Sequence, residues 1–282
     1  MRGWTRGFIA VVALASLLSV GLAHGAPPPK QQPVGGALLD DPHLTDTERK
    51  KLNEQCLEKE AAFGIERRPV ALCRCLEQES VSALCLTAVK RYGYQSKYVP
   101  CYKQERTYWC GPAAVRQSLY WHKAVSGSAI ALPSQTTLAS RIGTTTSGST
   151  TSGIARALNS YRGTFGTHHY VASDISNTSD PLGVFYNRIG AMLASKADGT
   201  VPIVLLQTSQ LSRYRGHSSR HYVTISGIDD RSVPVRMRDV DPNWRVAYRG
   251  IYWDDVGCTT YNGLFRACYQ ADLEGSNLAM AW

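Results

Sequence analysis

The sequence predicts an α+β fold in which a helical part packs on an antiparallel sheet. Three observations predict it. Apolar residues recur at helical spacing in several segments before about residue 195. Short apolar or alternating runs then follow, over Val201–Leu206, His221–Ile228 and Val233–Asp239. Helices first and strands second is the order of an α+β domain rather than of repeated βαβ units. The chain has 282 residues, 43% apolar and 19% charged, so wholesale disorder and collagen-like repeats are excluded. Only one long apolar stretch exists, at the start, which excludes a polytopic membrane protein.

The elements follow in order. Arg2 and Arg6 precede a fifteen-residue apolar run, Phe8–Leu22, and Ala23-His24-Gly25 then offers small residues at a cleavage site. This is the layout of a secretory signal peptide over 1–25, because a spanning helix needs about 20 apolar residues. A retained N-terminal anchor is the competing reading. Residues 26–43 are rich in Pro and Gly and read as a flexible tether. Residues 44–95 read as a small Cys-rich helical segment. Thr45 and Glu48 stand three apart, as in a capping box, with Leu52 and Cys56 at i, i+4. Pro69 suits the first turn of a second helix carrying Val70, Cys73, Leu76 and Leu84. About 50 residues hold little core alone, so this segment would be a propeptide, a docking module or a cover that cross-links help to hold.

From residue 96 to 282 the character changes and one larger domain is expected. Ala113–Trp121 reads as a helix, Thr144–Gly153 as a polar loop, Ile154–Tyr161 as a short helix, and Pro181–Ser195 as a helix with Leu182, Phe185, Ile189 and Met192 on one face. Asp229-Asp230 forms a turn between strands.

Charge and cysteines narrow the setting. The net charge is +9, and removing residues 1–25 takes away Arg2 and Arg6 and no acid, leaving +7. The basic residues form no dense tract, so nucleic acid is not expected as a partner, whereas an acidic cell-wall surface is. After signal cleavage no membrane contact is expected. Export permits disulfides. Cys258 and Cys268 flank a short turn region and read as a local pair, and Cys56, Cys73, Cys75 and Cys85 as pairing among themselves. Cys73-Arg74-Cys75 lacks the C-x-x-C spacing of zinc or redox sites, so no metal and no cofactor is expected.

Four residues carry candidate chemistry. Cys110, in Trp109-Cys110-Gly111-Pro112, lies at or just before a helix start, because Pro112 suits a first turn. Helix N-termini stabilise anions, and for a thiol the anion is the nucleophile. The structural alternative is a buried or disulfide-bonded cysteine. Gln104, six residues upstream, carries an amide that can donate to a developing oxyanion; a solvated loop residue is the alternative. His221 opens a strand and is suited to shuttle the thiol proton, with His217 as its main rival. Asp239 and Asp241 share one strand face, and either is able to orient the imidazole.

These pieces together, Q-x5-C-G-P-A-A from Gln104, G-T-x-x-x-G-S from Gly143 ahead of Ala157-Leu158-Asn159, H-Y-V-T-I-S-G-I-D-D from His221, and Asp241-Pro242, resemble the C39-like peptidase family. The resemblance runs from about Tyr98 to Asn243, roughly half the chain. It implies a papain-like cysteine peptidase fold in a secreted bacterial member. It further implies a nucleophile at Cys110, an oxyanion donor at Gln104, a base at His221 and an orienting acid at Asp241. The implied function is hydrolysis of a peptide or amide substrate. The family is related to bacteriocin-processing leader peptidases, but the transporter domains of those proteins have no counterpart here. The stretched Thr-rich loop 144–153 and the tail Trp244–Trp282 depart from the pattern. The alternative function is a non-catalytic cell-wall or peptide binding module on the same scaffold, with Cys110 bridged to Cys101.

Overall fold

A computed structural model describes residues 45–65, 90–196, 198–258, 262–273 and 278–282. The expected signal peptide, the tether and the second N-terminal helix after Pro69 lie outside the described residues.

The strands are β1 (Tyr94–Ser96), β2 (Ala172–Ser173), β3 (Ile203–Gln207), β4 (Arg220–Asp229), β5 (Arg236–Asp241), β6 (Gly250–Asp255) and β7 (Met280–Ala281). They form one seven-stranded sheet in the order β2-β7-β3-β4-β5-β6, with β1 on β4 off this path. All the pairings are antiparallel. The helices are α1 (Asp46–Ala62), α2 (Cys110–Ser126), α3 (Gln135–Ile142), α4 (Thr151–Asn159), α5 (Pro181–Ala194) and α6 (Leu264–Leu273). This mixture of helices and antiparallel sheet is the α+β arrangement of a papain-like peptidase.

Side-chain alternation sorts the core into two layers. Ile203 and Leu205 of β3 and Tyr222 of β4 pack with Ala114, Leu119, Leu138, Ile154 and Leu158 from α2, α3 and α4. Val204, Leu206, Val223 and Ile225 pack with Phe185, Ile189, Met192 and Phe265 from α5 and α6. Helices therefore cover both faces of the central strands. That explains why β3 is buried at every residue and reads as a continuous apolar run. Each fully buried Leu, Ile or Phe contributes about 1.5–3 kcal/mol relative to exposure.

Two strand features shape the end of the sheet that carries the site. β5 pairs with β4 from Thr224↔Val240 to Asp229↔Arg236, with a bulge between Ile225 and Gly227. Pro242 follows and has no N–H to extend the ladder, so the strand stops at Asp241. Residues 220–222 of β4 thus run beyond the end of β5. On the other side β4 pairs with β3 from Arg220 to Thr224, and β1 takes over from Gly227.

The periodic segments appear with shifted ends. The α2 helix starts three residues before the expected Ala113 and runs on to Gly127, whose left-handed conformation (φ 65°) stops it. The Thr-rich stretch is shorter as a loop than expected. Thr150 caps α4 by accepting from the Gly153 N–H, so Thr151 already belongs to the helix. The α1 helix begins at the expected capping box, with Thr45 N–H donating to Glu48 and Glu48 N–H to the Thr45 hydroxyl. The pairing expected between Cys258 and Cys268 does not form. Cys268 is free and buried on α6, its thiol directed to the Ala279 carbonyl, whereas Cys258 is disulfide-bonded, but not to Cys268. Cys56 is likewise free rather than paired, because α1 turns it into the core beside Glu60. Among the described residues no helix is long and apolar enough to cross a membrane.

Candidate active site

Cys110 is the first residue of α2. The α2 helix is fixed against the sheet by Thr224, whose hydroxyl donates to Gln117 Oε1 at 2.7 Å, and by Ser118, which donates to the Val201 carbonyl at 2.9 Å. Its first-turn N–H groups have no acceptor within the helix and favour negative charge at this end. Gly111 is required by close approach: a Cβ there would lie 2.4 Å from Ser149 Oγ and 2.7 Å from Ser149 Cβ. The Thr/Ser-rich loop thus shoulders directly against the helix start.

His221 reaches this point from the second position of β4. It is fully buried. Its Nε2 lies 2.7 Å from Asp241 Oδ1. Its other ring nitrogen, Nδ1, is buried without a hydrogen-bond partner. The Cys110 side chain is close enough to act on the ring and is among the groups that raise it. The register explains the Asp241 contact. With Val240 opposite Thr224, Asp241 falls opposite Val223 and shares a face with His221, one diagonal step away. Complete burial pushes His221 down, but the Asp241 carboxylate and the Cys110 side chain outweigh it and raise the ring up to about 10. Burial pushes the Asp241 carboxyl up, yet His221, Arg213 and Tyr214 together hold it below the ordinary range.

The two candidate acids are separated by their partners. Asp241 Oδ1 also accepts from the Asn243 N–H at 2.9 Å, and Oδ2 accepts from the Tyr214 hydroxyl. Asp239 sits on the same face but is paired with Arg213 at 2.6 Å. Of the two, Asp241 is the one that bonds the imidazole.

Gln104 is also buried near this end of the sheet. Its N–H donates to the Pro242 carbonyl at 2.7 Å, tying the loop to the strand that ends in Asp241. Its Nε2 donates to the Arg106 and Thr107 carbonyls at 2.8 and 2.9 Å, and Oε1 is unpartnered. Both amide hydrogens therefore curl the 104–107 loop rather than stand open to a ligand. Gln135 of α3 braces the same loop by accepting from Glu105 N–H and donating to the Lys103 carbonyl.

His217 stays outside the group; its ring lies beside Tyr248. His122 and His168 stack on each other at 3.9 Å, with His122 bonded to the Tyr170 hydroxyl, so they belong to the packed interior. Among the described residues no cluster of three or more His, Cys, Asp or Glu is placed to hold a metal ion. Sequence reasoning missed Tyr214, Arg213 and Asn243. Asn243 was accessible in principle, since Asp-Pro-Asn invites an Asp side chain to bond the N–H two residues on. Tyr214 and Arg213 come from a turn far from β5 in sequence and leave no local pattern.

An imidazole bonded to a carboxylate, with a cysteine side chain near the ring, is a group of residues able to exchange and hold a proton. No curated protein matches the chain. Residues 96–271 match the family model described as the Peptidase_C39 like family, which covers more than half of the chain, and the protein belongs to that C39-like peptidase family.

Proposed function

We propose that this protein is an exported cysteine peptidase or amidase in which Cys110 is the nucleophile, His221 the general base and acid, and Asp241 the orienting acid. The observation that carries the reading is the buried His221–Asp241 bond at 2.7 Å between β4 and β5, with Cys110 at the start of α2 among the groups that raise the ring. The thiolate attacks the carbonyl carbon of a peptide or amide substrate, and the sulfur–carbon bond forms as the oxygen takes the negative charge. Backbone N–H groups at the start of α2 receive that oxyanion. Gln104 adds an amide N–H once the substrate oxygen displaces the Arg106 or Thr107 carbonyl from it. The carbon–nitrogen bond then breaks as His221 gives its proton to the leaving amine. Water, deprotonated by His221, finally releases the acyl group and regenerates the thiol.

Export rests on the sequence of residues 1–25, and contact with an acidic cell-wall surface on the net positive charge. The binding-module alternative required a Cys101–Cys110 bridge. Neither sulfur is in a disulfide, and Cys101 donates to the Asp241 carbonyl at 3.2 Å instead. Steady-state hydrolysis of a peptide library tests the proposal. Cys110→Ala is expected to abolish turnover, and Gln104→Ala to lower kcat by about 10²–10³, the weight of one oxyanion donor. Undiminished hydrolysis by Cys110→Ala would refute the assignment.

A further inference from the structure

The single helical turn Ser212–Tyr214 lies outside every motif that marks the site, yet it supplies two bonds to the aspartates of β5. The Tyr214 ring is buried against Tyr248 (5.1 Å between centroids) and beside His221 (6.3 Å). Its hydroxyl donates to Asp241 Oδ2. Arg213 extends from the preceding position. One guanidinium nitrogen lies 2.6 Å from Asp239 Oδ2 and 3.8 Å from Asp241 Oδ2, and the other meets Asp254 of β6. The guanidinium is also stacked over Tyr252 at 4.6 Å.

We propose that Tyr214, with Arg213 beside it, is a positioning residue that selects Asp241 over Asp239 as the partner of His221 and so turns the other face of the imidazole to Cys110. The inference rests on the Cys110–His221–Asp241 reading and adds a residue to it. Two carboxylates on one strand face, both fully buried, would otherwise compete for a single imidazole. Arg213 occupies Asp239. Tyr214 takes the outer oxygen of Asp241, which leaves the inner oxygen to His221 Nε2 and the Asn243 N–H. With both carboxylate oxygens held, the group cannot rotate, and Nδ1 is the one His221 ring nitrogen not bonded to Asp241. Burial and the neighbouring Asp241 push the Tyr214 hydroxyl well above its ordinary range, so it remains a donor throughout any working pH.

The groups that set the titration are these. His221 is faced by Cys110 of α2, Asp241 of β5 and the Tyr214 ring. Asp241 is faced in addition by Arg213, by Asp239 of its own strand, by Tyr252 of β6 and by the Cys101 thiol at its backbone carbonyl.

The test is the pH profile of Cys110 alkylation by iodoacetamide from pH 4 to 10, on the full chain and on Tyr214→Phe, which keeps the ring and removes the hydroxyl. The unaltered protein is expected to react well below the pH at which an ordinary thiol ionises, about 8.5, with an upper step where His221 loses its proton. In Tyr214→Phe that upper step is expected to move to lower pH. In a peptide-hydrolysis assay kcat should fall about 10- to 100-fold with KM little changed, the size of one lost hydrogen bond to a charged group. The ring ¹⁵N shifts of His221 followed by NMR provide a second readout, and their titration should move in step. A purely structural role would lower the reactive fraction and the melting temperature while leaving the step in place. An upper step at the same pH in both proteins, with kcat within about twofold, would overturn the role of Tyr214 and leave the Cys110 reading standing. An unaltered protein that reacts as an ordinary thiol would overturn both.

Discussion

Asp239 and Asp241 stand two residues apart on β5, share a face and are both fully buried, yet only Asp241 bonds the His221 ring. Asp241→Asn is therefore expected to lower kcat by about 10²–10⁴, since an amide no longer holds the imidazolium. Asp239→Asn should cost at least tenfold less, and parallel kcat measurements decide between them. The raised His221 also fixes a stability window. Its folded value, about 10, lies above the unfolded value of about 6.5. The stability it contributes is fully present below pH 6.5 or so and is lost as pH rises through about 10. Asp241 is lowered, so its contribution is present above about pH 4 and is lost as pH falls through its folded value. The melting-temperature gap between the unaltered protein and His221→Gln should accordingly be widest near pH 5–6 and shrink toward pH 10. Gly111→Ala is expected to reduce kcat by displacing Ser149 and with it the helix start, and Ser149→Gly in the same chain should restore much of the loss. At this scale the sequence was informative where chemistry is local: a thiol two residues before a helix-start proline, a histidine opening a strand, an aspartate before a strand-ending proline. It was silent on Tyr214 and on the carbonyls that hold the Gln104 amide, because those contacts depend on how loops fold back.

Among the elements, α1 shows how a segment of open purpose is joined to the rest. Glu60 accepts from Arg188 of α5 at 2.6 and 2.8 Å, and both side chains are buried. Lys59 donates to the His169 and Trp282 carbonyls, each at 2.6 Å, with the Trp282 ring 4.7 Å below it. Burial pulls the Lys59 ammonium down to about 7, and those carbonyls and that ring are what surround it. Glu60→Ala leaves Arg188 as a buried charge without its carboxylate. It is expected to destabilise the protein by about 3–5 kcal/mol in urea unfolding, a loss that a merely docked helix would not produce. The capping box made the start of α1 legible from Thr45 and Glu48, and four apolar residues at helical spacing made α5 legible. Their partnership was not, because Glu60 and Arg188 are separated by 128 positions. Other elements left too little pattern. The β2 and β7 strands have two residues each and β1 three. The β6 strand alternates with Ile251 and Trp253 on its exposed side, the reverse of an apolar face turned inward. The α3 helix has only eight residues, although Ser134 caps it and Gly143 ends it.

For the molecule as a whole, the cysteines separate an enzyme from a cross-linked binding module. Four of the described cysteines are not in disulfides: Cys56, Cys101, Cys110 and Cys268. Alkylation of the denatured but unreduced chain should therefore label at least these four sites, where a fully bridged module would show none. The expectation of local pairing failed at Cys268 and Cys56 for one reason. Spacing in sequence brings two cysteines near each other, but a helix that turns its sulfur into the core removes it from any partner. Cys110 opens α2, His221 is the second residue of β4 and Asp241 ends β5, so all three lie at ends of elements that are legible in the sequence. The most direct measurement is peptide mapping after brief iodoacetamide treatment of the native protein at pH 6, where an ordinary thiol is almost wholly protonated. Cys110 is predicted to be modified ahead of Cys56, Cys101 and Cys268, and to lose that preference in His221→Ala. A Cys110 that reacts no faster than the other three, or as fast without His221, would contradict the assignment of this sulfur as the nucleophile.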